Sequence, residues 1–269
     1  MTGFSADWLA LREPFDQRAR EANVLASVAA HFSDRASITV VDLACGTGAT
    51  RRAIAGHLPR FQHWLLVDND LGLLARANEV PRVDGCTLRT IPIDLMHDLE
   101  AALDGGPDLI VASALLDLVS EEWLDRLVLE CAVRRLPLYA ALTYDGRVTL
   151  DPGDPFDKRM IGAVNRHQRR DKGFGAALGP GAVDALRDAC KAAGYAVREG
   201  QSDWTADIDD CDIQQAMLTG WAQAAREMED ITEGEVAGWL RRRVDLVMAG
   251  QASMRVGHSD VFAYPIATR

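Results

Sequence analysis

"VVDLACGTGAT" (residues 40–50) decides how this chain is read. Two β-branched residues lead into an acid. Small residues follow, then two glycines one residue apart, then a segment of helical composition. A turn with so little side chain lets the backbone come close to a ligand. Dinucleotide-binding turns carry a third glycine, in the spacing G-x-G-x-x-G, where helix and strand pack tightly. Arg51 stands at that position here. Nucleoside triphosphate loops need G-x-x-x-x-G-K-[ST], and no lysine follows. Both phosphate-cradling patterns fail, and a nicotinamide oxidoreductase becomes remote.

Outward from the turn, strands and helices alternate. "SITVVDLA" (37–44), "HWLLVDND" (63–70), "CTLRTIPID" (86–94), the start of "DLIVASALL" (108–116) and "LPLYAALTYDG" (136–146) read as five strands with helices between them. Short apolar runs at this spacing imply a largely parallel sheet covered on both faces. Ligands of such sheets bind at the carboxyl ends of the strands. Beyond 146 the chain reads as an irregular connection holding one helix. A helix ended by Gly194 follows, then a strand to about Trp204, then two helices, and a final strand "SDVFAYPI" (259–266). The second of those helices opens on Thr232-x-x-Glu235, a capping box. Ahead of the first strand, Ser5 reads as a helix cap and Pro14 as a break. Ala22, Leu25, Ala26, Ala29 and Ala30 form an apolar stripe at helical spacing.

Bulk composition narrows the partners. Acids outnumber bases 40 to 29, for a formal net charge of -11. Phosphate-gripping proteins usually show the opposite balance, so nucleic acid is not expected as substrate. No apolar run reaches membrane-span length, and no signal-peptide pattern opens the sequence. Five scattered cysteines without a CxxC pair read as reduced thiols of a cytoplasmic protein, with no metal site. "NRHQRRDK" (165–172) is a basic island, either facing an anionic small molecule or forming a solvated helix face.

The turn as a whole, acid–small–Cys–Gly–Thr–Gly, resembles the first motif of class I S-adenosylmethionine-dependent methyltransferases. Asp42, Gly46 and Gly48 match it, and Ala44 replaces the first glycine. The resemblance covers about residues 35–145. It implies a doubly wound, mostly parallel seven-stranded α/β sheet, S-adenosyl-L-methionine as cofactor and S-adenosyl-L-homocysteine as product. Its cofactor site would comprise Asp42, Ala44, Cys45, Gly46 and Gly48, with Asp68 at the second strand end as the ribose acid beside Asn69. Asp94, with Leu95 or Met96, would meet the adenine, and Ser113 would line the site. An arginine of the leading helix, Arg20, would close on the cofactor carboxylate.

The acceptor then belongs near the ends of strands four and five. Asp117, Tyr144 and His167 are the candidate catalytic residues, His167 because an imidazole titrates near neutrality. Asn165, Gln168, Arg169 and Arg170 would suit a polar or anionic acceptor. One domain over 1–269 is expected, with an N-terminal helical lid (1–34), a cofactor core (35–145), an acceptor-side segment (146–180) and a helical insertion (205–258). The insertion, which carries Trp221 and Trp239, reads by default as an added core layer, with a cap or a homodimer surface as alternatives. The expected reaction is methyl transfer to oxygen or nitrogen of a small molecule. An RNA or protein methyltransferase and a non-catalytic cofactor-binding module remain as competitors.

Overall fold

A computed structural model describes residues 4–79, 84–228 and 230–266. Two helices precede the sheet: α1 (Ala6–Ala19) and α2 (Ala22–His31). Ser5 caps α1 by accepting the Trp8 N–H at 3.1 Å. Pro14 does not break α1, contrary to the sequence expectation. Proline removes one helical hydrogen bond, but Phe15 and Asp16 immediately after it are buried and hold the helix in place. The buried stripe of α2 is Val24, Leu25 and Val28 rather than the alanine series, because the larger side chains gain more from burial.

The core alternates as expected: β1 (Ser37–Leu43), α3 (Ala49–Ile54), β2 (Phe61–Asp68), α4 (Leu71–Asn78), β3 (Cys86–Pro92), α5 (Leu99–Leu103), β4 (Leu109–Ser113), α6 (Glu121–Arg134) and β5 (Leu138–Asp151). The remaining elements are α7 (Asp157–His167), α8 (Ala182–Ala192), β6 (Tyr195–Gln201), β7 (Trp204–Ala206), α9 (Cys211–Arg226), α10 (Glu233–Met248) and β8 (Ser253–Pro265). Thr232 and Glu235 form the expected capping box on α10.

The sheet runs β3-β2-β1-β4-β5-β8-β6, with β7 also paired to β8, so it has eight strands rather than seven. Strands β1 to β5 pair parallel; β8 enters antiparallel between β5 and β6. β6 and β7 lie along one edge of β8, at residues 259–265 and 254–256. Residues 147–151 are not an irregular connection. They continue β5, and 148–151 pair with 253–256 of β8, an extension hidden in the sequence by its charges. The helical insertion is correspondingly shorter than 205–258, since both of its expected ends are strand.

Side chains alternate across the sheet and feed two apolar clusters. Val40, Val111 and Tyr139 face one side, with α1, α2 and the inserted helices. Val41, Ile110 and Ala140 face the other, with α5, α6 and α8. By the same alternation Asp42 points to the side of the N-terminal helices.

Candidate functional site

The glycine turn has left-handed backbone at every second residue: φ is 52° at Ala44, 54° at Gly46 and 79° at Gly48. Glycine adopts such angles freely, while an L-residue pays about 1–2 kcal/mol. The conformation of the missing first glycine is therefore kept, under strain, by Ala44. Backbone bonds lock the turn: Cys45 N–H donates to the Val67 carbonyl at 2.9 Å, and Gly48 N–H to the Cys45 carbonyl at 2.8 Å. Asp68 accepts the Gly46 N–H at 2.9 Å and the Asp70 N–H at 3.0 Å. Helix α1 lies over the turn. A Cβ on Gly46 would sit 3.0 Å from Leu9 Cδ1. Glu13 receives two hydrogen bonds from Arg52, at 2.6 and 2.7 Å.

Beneath this turn sit two buried ionisable side chains with unfilled hydrogen-bonding positions. Asp42 is fully buried, and neither carboxylate oxygen has a hydrogen-bond partner among the described residues. Burial pushes its carboxyl up to about 8, against the pull of Arg20. Arg20 donates to Ser113 Oγ at 3.2 Å, but its Nε and Nη1 have no partner. Buried polar groups are nearly always paired, so an acid and a guanidinium left open in one place call for a ligand. Asp260 does not fill that role. It already accepts the Tyr139 hydroxyl at 2.8 Å, the Leu142 N–H at 2.8 Å and the Glu21 N–H at 3.1 Å.

A second space opens beside it, a cavity of about 410 Å³. Trp8 and Arg12 of α1 form one wall, and Trp204, His258 and Tyr144 another; Trp221 and Met217 of α9 roof it. Residues 8 and 12 share one helix face and 9 and 13 the next. Helix α1 therefore divides the cavity from the glycine turn. The strands that open here leave the sheet under strain, with Ala114 after β4 at φ 51° and Leu142 in β5 at φ 54°.

The cavity carries few polar groups. Asp117 is buried, its Oδ1 has no partner among the described residues, and burial raises its carboxyl to about 6. His258 donates from Nδ1 to the Val256 carbonyl at 3.1 Å, which leaves Nε2 unprotonated; burial lowers the ring to about 3, so it is neutral. His167 lies between Glu227 Oε2 (3.0 Å from Nε2) and Lys172 Nζ (3.2 Å from Nδ1). An ammonium only donates and a carboxylate only accepts, so both ring nitrogens are engaged. Tyr144 donates its hydroxyl to Asn165 Oδ1 at 2.7 Å, and burial raises it, so it stays protonated.

No family model matches the chain, and no curated protein matches it by sequence. Solved structures do match it as folds. A cyclopropane synthase from Mycobacterium tuberculosis aligns with TM-score 0.52 at 12% identity, covering 97% of this chain and 94% of that one. A cyclopropane-fatty-acyl-phospholipid synthase-like protein from Lactobacillus casei aligns with TM-score 0.51 at 14% identity, covering 97% and 95%. A putative methyltransferase from Bacillus halodurans aligns with TM-score 0.50 at 12% identity, covering 91% and 100%. The chain has the class I methyltransferase fold.

Within that methyltransferase fold the expected residues divide into three groups. Asp42, Ala44, Gly46, Gly48, Asp68, Ser113 and Arg20 converge on the glycine turn and the unpaired side chains beneath it. Cys45 is buried under the turn, and Asn69 is exposed next to Asp68. Asp94 and Leu95 stand apart. Asp94 closes its own turn, accepting the Met96 N–H at 3.0 Å and bonding His97 Nδ1 at 2.9 Å. Leu95 is buried in the core beyond the sheet, where its carbonyl accepts the Trp123 indole N–H at 2.7 Å.

The basic island is turned to the insertion. Arg166 pairs with Asp230, and His167 and Arg170 with Glu227. Trp239 and Trp221 both belong to the buried apolar core, Trp239 donating to Asp157 at 2.8 Å and Trp221 also lining the cavity. Sequence reasoning missed His258 and Trp8. The register of β8 against β5, and the lie of α1, bring them to the cavity, and no local pattern announces either.

Proposed function

We propose that this chain is an S-adenosylmethionine-dependent methyltransferase acting on oxygen or nitrogen of a small molecule. One observation carries the reading: buried Arg20 and Asp42 stand open beneath a glycine turn, next to a separate apolar cavity. An amino-acid tail offers a carboxylate for the free Arg20 N–H groups and an ammonium for the free Asp42 oxygens. Asp68 is partly exposed and keeps lone pairs for a ribose diol. The residues present therefore fit an adenosyl amino acid. When bound, that cofactor would supply an electrophilic methyl group on sulfonium sulfur.

This chain's share of the chemistry is positioning and proton removal. Holding reactants in line contributes about 7–11 kcal/mol of barrier reduction. Asp117 would take the proton of the attacking hydroxyl or amine, freeing that atom's lone pair for the methyl group that the bound cofactor would supply. A general base of this kind contributes roughly 10²–10⁴ in rate. Asp117 suits the role better than His167, whose two nitrogens are engaged. A carbon acceptor with no hydrogen to donate would leave Asp117 Oδ1 unmatched.

The cavity's apolar walls and the net charge of -11 favour a small molecule over RNA. Its openness beside the turn favours an enzyme over a cofactor-binding module. Calorimetry with S-adenosylmethionine, S-adenosylhomocysteine and NAD tests the cofactor, with binding expected for the first two alone. Transfer of labelled methyl to a metabolite extract tests the enzyme. A protein that binds NAD and neither adenosyl compound would overturn the reading.

A further inference from the structure

Asp260 accounts for how Arg20 is held. It lies on β8, fully buried, and among the described residues none of its hydrogen bonds goes to the guanidinium. Its Oδ2 takes the Glu21 N–H at 3.1 Å, and that N–H belongs to the peptide bond joining Arg20 to Glu21. Arg20 ends α1 there, with ψ at 133°, so the bond pins the corner from which its side chain sets out. The same oxygen takes the Tyr139 hydroxyl at 2.8 Å, and Arg20 Cζ lies 6.0 Å from the centre of the Tyr139 ring. One carboxylate therefore holds both the root of Arg20 and the ring beside its head. Its third bond, from the Leu142 N–H at 2.8 Å, fixes the left-handed kink of β5.

The charges explain why such an arrangement is needed. A buried guanidinium requires a counter-charge close by. Were that acid bonded to it directly, its N–H groups would be used up, and a ligand carboxylate would have to displace the acid. Asp260 separates the two tasks. Its bonds go to Glu21, Tyr139 and Leu142, so it contributes charge while Arg20 Nε and Nη1 keep no partner among the described residues. Burial works against the Arg20 charge, yet Tyr139, Asp260 and Asp16 outweigh it and raise the guanidinium above its ordinary value. Asp42 is mostly protonated below about 8, so before a ligand arrives it supplies little of that charge. Resting on the methyltransferase reading above, we infer that Asp260 is a positioning residue: it keeps Arg20 aimed and its N–H groups open for the carboxylate of the cofactor's amino-acid tail.

Calorimetry on the full chain, with two ligands at one pH, tests this. S-adenosylhomocysteine carries both tail groups. Decarboxylated S-adenosylhomocysteine keeps the ammonium that meets Asp42 and lacks only the carboxylate. The unaltered protein is expected to bind the first about tenfold or more tighter. Asparagine has one acceptor oxygen and one nitrogen that only donates, so Asp260→Asn removes the charge and faces a donor at either Glu21 or Leu142. In that variant the advantage falls below about threefold, while the decarboxylated compound stays within about threefold of its original affinity. A residue that merely held the fold would weaken both ligands alike. That result overturns the inference, as does an advantage kept intact in Asp260→Asn. Tyr139→Phe keeps the ring beside Arg20, removes the hydroxyl link and serves should Asp260→Asn fail to fold. It should lower the same advantage at least about threefold, and an unchanged advantage there overturns the inference too. Equal binding of the two ligands by the unaltered protein sinks the placement of a carboxylate on Arg20, and the inference with it. An advantage that survives both substitutions leaves that placement standing and removes Asp260 from it.

Discussion

Asp42 makes cofactor binding a proton-releasing event. Burial and the Asp68 carboxylate outweigh the pull of Arg20, Arg52 and the Thr50 hydroxyl, holding the group at about 8. To receive an ammonium it must be ionised. The ionised fraction follows 1/(1 + 10^(8 − pH)), roughly 0.01 at pH 6 and roughly 0.24 at pH 7.5, so affinity for S-adenosylhomocysteine should rise roughly twenty-fold over that interval. At pH 7 about 0.9 proton should leave per ligand bound, read by calorimetry in buffers of different ionisation enthalpy. Asp42→Asn should abolish both the slope and the proton release. The stability sign follows from the same shift. The folded carboxyl titrates above its unfolded value, so the ligand-free fold binds more protons than the unfolded chain. Its stability falls as pH rises from roughly 4 towards about 8. A flat affinity profile in the unaltered protein, or a slope that survives Asp42→Asn, would refute the placement of the ammonium on Asp42.

Three further outcomes are expected. Ala44→Gly relieves about 1–2 kcal/mol of left-handed strain and costs about 0.5–1 kcal/mol in chain entropy, so urea denaturation should show a net gain of about 0.5–1 kcal/mol; destabilisation would mean that the Ala44 methyl packs. Arg243→Met strands Asp157, which now bonds Arg243 Nε at 3.0 Å and the Trp239 indole at 2.8 Å, and should cost about 3–5 kcal/mol by the same assay. Once an acceptor is found, kcat/KM should climb as Asp117 ionises near 6, and Asp117→Asn should lower it roughly 10²–10⁴-fold and remove that limb. His167→Gln should leave the same limb in place.

The glycine turn was legible because its chemistry is local. Left-handed backbone at alternate residues selects for glycine, and Gly46 and Gly48 mark it. Strands β1 to β4 were legible through their apolar runs, and the α10 cap through Thr232 and Glu235. Pro14 misled because tertiary burial of Phe15 and Asp16 outweighs a local preference. The β5 extension was hidden because Asp145, Gly146 and Arg147 form a bulge, with Gly146 at φ 86°, and pairing resumes only at Val148, whose partner Val256 lies a hundred residues on. Arg20 and Asp117 were visible as charges near the rim, but their lack of partners is a property of the folded protein. His258 was invisible for a related reason: a lone histidine acquires meaning only when Val256 fixes its tautomer and Trp204 stacks beside it.

Helix α1 has one more consequence. Trp8 and Arg12 wall the cavity while Leu9 and Glu13, one residue on, cover the glycine turn. A rigid rod cannot roll on one side alone. Any movement that uncovers Gly46 also reshapes the neighbouring chamber, so the two occupants share a single door, and whichever enters first sets the terms on which the other is admitted.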